Sequence, residues 1–89
     1  MAVQGDAPAS VAVLDDTWQR RARSLGPAHE STLTTANTLG ATLFAAGLRQ
    51  DGLAVLRRAH AQSANLPPGH PVREEIEVNL RIAERNTGG

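Results

Sequence analysis

Cysteine, lysine and tyrosine are absent from the 89 residues, and aromatic side chains amount to 2%, a single Trp and a single Phe. The lack of cysteine removes disulfides, thiolate metal sites and a cysteine nucleophile at once. Small secreted domains commonly depend on disulfide staples, so their absence points to the cytoplasm. With so few aromatics and no cluster of β-branched residues, a sheet core has little material. Leu, Val and Ala suit close-packed helices instead. Excess charge is missing too: nine basic and nine acidic residues cancel, which removes the electrostatic footprint on which nucleic-acid binding depends. No run approaches the roughly 18 apolar residues of a membrane span. The opening "MAVQGDAPAS" carries no basic segment followed by an apolar one, as a signal peptide would. We therefore expect one cytoplasmic domain that binds neither nucleic acid nor membrane. Its Ala-, Arg- and Leu-rich, lysine-free composition leans towards a bacterial source.

What is present is a repeat. "LGPAH" at residues 25–29 returns as "LPPGH" at 66–70, an offset of 41 that also pairs Leu39 with Leu80. Each segment follows a helical pattern and precedes another, and a fixed period of 20–50 residues marks stacked helical hairpins. Val11, Leu14, Trp18, Ala22 and Leu25 form the stripe of a first helix, with Ser10 as its N-cap and Gly26-Pro27 as its stop. A second helix is predicted from Glu30 or Ser31 to Ala46, with Leu33, Ala36, Leu39, Gly40, Leu43 and Ala46 on its apolar face and Gly47 ending it. A third spans about Gln50 to Asn65, with Val55, Leu56, Ala59 and Ser63 inward, until the two prolines break it. A fourth starts at Pro71, buries Val72, Ile76, Leu80 and Ala83, and fades by Asn86. Residues 1–9 read as a loose N-terminal tail, 10–86 as the helical domain and 87–89 as a short C-terminal tail. The predicted fold is all-α: four helices joined by short turns, neighbours antiparallel.

Residues 25–59, "LGPAHESTLTTANTLGATLFAAGLRQDGLAVLRRA", resemble a tetratricopeptide repeat of the long-period kind found in kinesin light chains and bacterial NB-ARC regulators. Leu39 and Gly40 stand at that family's Leu-Gly pair, Gly47 at its turn, and Leu56 and Ala59 at the large and small positions of its second helix. Gly52 replaces the usual Ala, at about 1 kcal/mol of helix propensity. Arg81 and Glu84 replace a small and a large apolar residue, which reads as a solvent-facing cap. Over residues 11–83 the resemblance implies a short α-solenoid of about one and a half to two hairpins. It also implies a non-catalytic adaptor that binds a peptide or helix of a partner protein in a regulatory or signalling setting. Carried over position by position, the groove-facing set would be Thr34, Asn37, Ala41, Phe44 and Ala45. Asn37 would donate to and accept from a peptide backbone. Phe44 either offers an apolar contact there or packs against the first or fourth helix.

Nothing in the chain points to catalysis, a cofactor or a metal. His29 and His70 occupy equivalent turns, with no acidic neighbours at ligand spacing, and read as caps on the helices that follow; a metal would need three or four convergent ligands. His60 reads as a boundary residue. Asp15-Asp16 and Glu74, Glu75 and Glu77 do not face one another as catalytic pairs would, and Glu74 and Glu75 suit a helix's first turn. The many threonines accompany no nucleophile elbow, and no phosphate-binding Gly loop is present. Arg20, Arg21 and Arg23 are the one local basic cluster. On the fourth helix Val78 and Ile82 lie opposite the predicted core residues. A helix apolar on two sides has something to bury each against, so these two residues are the candidate self-association face of a homo-oligomer.

Overall fold

The computed structural model describes residues 2–88. They form four helices: α1 Ala2–Leu25, α2 Glu30–Ala45, α3 Arg49–Ser63 and α4 Pro71–Gly88. Among the described residues there is no strand. The element count, the order and the central turns are as the sequence indicates. The clearest difference is at the N-terminus, where the backbone is helical from Ala2 and Ser10 lies inside α1. The backbone is helical there although Gly5 is a weak helix former and Pro8 has no N–H for the carbonyl four residues back. At the other end α4 runs on to Gly88, past the expected fade at Asn86; Gly89 lies outside the described residues.

The turns explain the repeat. At the start of α2, His29 Nδ1 accepts from the Ser31 N–H at 3.0 Å. At the start of α4, His70 Nδ1 accepts from the Val72 N–H at 3.1 Å. The backbone around them matches bond for bond: His29 N–H donates to Gly26 O and His70 N–H to Pro67 O, while Leu33 N–H reaches His29 O and Glu74 N–H reaches His70 O. Each histidine is therefore an N-cap, satisfying an amide that the first helical turn leaves unpaired. Between α2 and α3, Gly47 takes φ +89°, with Gly47 N–H on Phe44 O and Leu48 N–H on Leu43 O. That paired closure ends a helix in the left-handed region, where a side chain would be strained. The end of α3 tightens into three-residue turns, Asn65 N–H to Gln62 O and Leu66 N–H to Ser63 O, two residues before the predicted end.

α2 is the hub. It packs against α1, α3 and α4, and α3 packs against α4. Short turns make successive helices antiparallel hairpins, so α2 and α4 run parallel, side by side. Three contacts lace them in register. At their N-terminal ends His70 meets Glu30, 40 residues apart in sequence. Midway the Asn79 amide donates to Asn37 Oδ1 at 2.9 Å, 42 residues apart. Near their C-terminal ends Phe44 packs on the cluster that includes Leu80 and Ala83. The helices enclose two apolar clusters. One is Leu33, Ala36, Ala59 and Ile76, with Trp18, Val55, Leu66 and Val72 against it. The other is Leu53, Leu56, Leu80 and Ala83, with Phe44 alongside. The whole is a slab of 42 × 34 × 16 Å.

α2 and α3 cross on two glycines. A Cβ on Gly52 would lie 2.8 Å from the Gly40 carbonyl oxygen and 3.0 Å from the Phe44 amide nitrogen. One on Gly40 would lie 2.6 Å from Leu56 Cγ. The propensity that Gly52 gives up is thus the condition for the close approach of α2 and α3. On α2, Thr34, Thr35 and Thr38 return their hydroxyls to the carbonyls four residues back, which lets a threonine-rich segment remain helical. Thr32 differs: it is wholly buried, and its Oγ1 has no hydrogen-bond partner among the described residues.

Candidate interaction groove between α2 and α4

Parallel helices laced at three levels leave a groove along their outer side. At its C-terminal end is an apolar cleft of about 210 Å³, lined by Ala41, Phe44 and Ala45 of α2, Leu56 of α3, and Asn79, Ile82 and Ala83 of α4. The next stretch towards the N-termini is open and more polar, with Asn37 on one wall and Pro71, Glu74, Glu75, Val78 and Asn79 on the other. The small side chains of Ala41 and Ala45, both exposed, create the notch. The Phe44 ring, half-buried, both packs on the core and lines the cleft.

The two sets of residues singled out in the sequence therefore meet. Ala41, Phe44 and Ala45 form the α2 wall, and Ile82 faces them from α4 in the same cleft, while Val78 shares the adjoining stretch with Asn37. Val78 is 49% exposed and Ile82 48%, whereas Ile76, Leu80 and Ala83 on the same helix are buried. Asn37 Oδ1 accepts from Asn79, which leaves its amide N–H groups and a second lone pair on the oxygen. Thr34 lines neither stretch; it is exposed, and its hydroxyl is bonded to Glu30 O. Asn79 was not singled out in the sequence. The signal for it is the period itself, since it lies one repeat and one residue beyond Asn37.

At the head of the groove His70 is fixed by geometry. Its Nδ1 accepts the capping bond and so carries no proton, which places the ring hydrogen on Nε2, donating to Glu30 Oε2 at 3.1 Å. The bond ties the two equivalent turns to one another. Glu77 is shared between Arg73 and His60 at 3.8 Å each, and Glu84 meets Arg57 at 3.5 Å. These are half-exposed pairs, each contributing little on its own.

A larger cleft of about 450 Å³ lies on the opposite side, between α1 and α3. Trp18, Arg58, Asp15, Gln19, Arg23 and Gln62 are among its walls. The Arg58 guanidinium sits 5.2 Å from the Trp18 ring centre, a cation–π stack that satisfies the aromatic face. Of the basic cluster, Arg20 pairs with Asp16 and Arg21 donates to Thr35 Oγ1, so two of its three members are engaged within the chain. Ala22, Pro27, Leu33 and Ala59 line the α1–α3 cleft beside these polar groups, whereas the α2–α4 groove is bordered by the half-exposed Val78 and Ile82.

Among the described residues no three His, Asp or Glu side chains gather as metal ligands, and no helix is long and apolar enough to cross a membrane. Compared with protein-family models, with curated proteins and with solved structures, the chain matches none significantly.

Proposed function

We propose that the chain is a non-catalytic protein–protein interaction module, a tetratricopeptide-like adaptor whose α2–α4 groove takes a peptide or helix of a partner protein in a regulatory or signalling setting. The observation that carries this reading is the apolar cleft in which Ala41, Phe44 and Ala45 face Ile82. Two further features support it. The α2–α4 lacing repeats at 40 and 42 residues, close to the sequence period of 41, as stacked hairpins would. The Asn37–Asn79 pair also retains a donor on Asn37 and an acceptor on Asn79 for a passing backbone. An apolar anchor would fill the notch while the asparagines hold main-chain groups beside it.

Selection from a random displayed peptide library tests the proposal. Enriched peptides should share an apolar anchor and should lose binding to Ile82→Asp and Phe44→Ala proteins. Enrichment of no sequence, or of sequences indifferent to both changes, would remove the groove as a peptide site. A second reading, a unit that self-associates through its terminal helix, is favoured by the half-exposed Val78 and Ile82.

A further inference from the structure

The exposed side of α4 carries a seam with an internal symmetry. Glu75, Val78, Ile82 and Arg85 are all exposed and follow one another at intervals of three, four and three residues. That is the spacing of a helix–helix seam, and it keeps the four side chains within one narrow arc. The apolar pair is central and the opposite charges lie at the two ends. Neither Glu75 nor Arg85 has an ion-pair partner among the described residues, although Glu77, Glu84 and Arg73 of the same helix all do.

We infer that the occupant of this face is a second copy of the chain, with the two α4 helices antiparallel about a two-fold axis. The inference rests on the self-association reading of the same face and specifies its geometry. A two-fold contact requires each patch to complement itself. When Val78 is set opposite the partner subunit's Ile82, the register places Glu75 opposite the partner subunit's Arg85, and the axis repeats both pairings. Two apolar contacts are then flanked by two opposite-charge contacts. A parallel pairing would set Glu75 against Glu75 and Arg85 against Arg85, which like charges disfavour. Charge therefore selects the antiparallel order. Ala41 and Ala45, small and exposed on the adjacent α2, leave room for the incoming helix, and the apolar cleft beside Ile82 is covered in the same step.

Because the natural chain has no cysteine, introduced thiols report the order without interference. Oxidising an equal mixture of Val78→Cys and Ile82→Cys proteins should give a mixed disulfide dimer several-fold in excess of the dimer from either variant alone. By light scattering the wild type should approach twice the protomer mass as concentration rises. Glu75→Arg and Arg85→Glu should each shift it back towards the protomer, and the two changes combined in one chain should restore the dimer. Efficient self-crosslinking of Val78→Cys alone, charge reversals without effect, or a wild type at protomer mass throughout would each overturn the inference. The peptide selection separates the readings: a monomer that still selects groove peptides retains the interaction module and loses only this dimer. All the substitutions lie on exposed helical positions, and unchanged far-ultraviolet dichroism verifies that each variant is folded.

Discussion

Gly52 is the position at which local preference and packing disagree most sharply, and packing decides. Alanine would gain about 1 kcal/mol of helix propensity. Its Cβ would meet backbone atoms of α2 at 2.8 and 3.0 Å, however, and the helices would have to separate. We expect Gly52→Ala to lower stability by about 1–3 kcal/mol in urea unfolding, the usual range for overpacking. Gly40→Ala should destabilise to a similar degree, because its Cβ would lie 2.6 Å from Cγ of Leu56, which is fully buried and has little room to shift. The opposite case is Thr32, whose buried hydroxyl is unpaired. Thr32→Val should raise stability by about 1 kcal/mol, since it removes an unsatisfied polar group with little change of shape. Neither property was legible in the sequence. Gly52 reads there as a defect in α3 because Gly40, which makes it necessary, lies on another helix. Thr32 is one more threonine among several whose hydroxyls do find carbonyls.

The turns were far more legible, because a proline, a glycine or a cap acts through neighbours in sequence. The two "L-x-P-x-H"-like segments announced equivalent helix starts, and both histidines cap as read. His29→Ala should cost about 1 kcal/mol of stability, as loss of an N-cap does. His70→Ala should cost somewhat more, since the bond to Glu30 is lost as well. His70→Asn should recover the cap but not that bond, so its melting temperature should lie between wild type and His70→Ala. At the N-terminus the reading stopped short. Gly5 and Pro8 look like helix breakers, whereas the backbone of α1 passes through both. The two-sided character of α4 was visible from its 3.6-residue pattern. Val78 and Ile82 stand out of the core while Ile76, Leu80 and Ala83 are inside it.

How the helices assemble was only partly written in the chain. The period of 41 implied that α2 and α4 are equivalent, and the structure sets them parallel and laced by Glu30–His70 and Asn37–Asn79. What pattern reasoning could not supply was that the Ala41–Phe44–Ala45 set and Ile82 share one cleft, because that depends on the crossing of α2 with α4. The same crossing uses one acceptor position of Asn37 Oδ1 and leaves Thr34 outside both stretches of the groove. The α2–α4 groove is the side proposed here for contact with protein, while the α1–α3 side carries the cleft with Arg58 stacked on Trp18. Nuclear magnetic resonance of the backbone amides over a concentration series maps which side makes protein contacts. Signals of Ala41, Glu75, Val78, Asn79 and Ile82 should move or broaden as concentration rises, with those of Trp18, Arg58 and Gln62 unchanged. Changes confined to α1 and α3, or no change on any helix, would contradict the assignment of the α2–α4 side as the surface on which this protein meets its own copy.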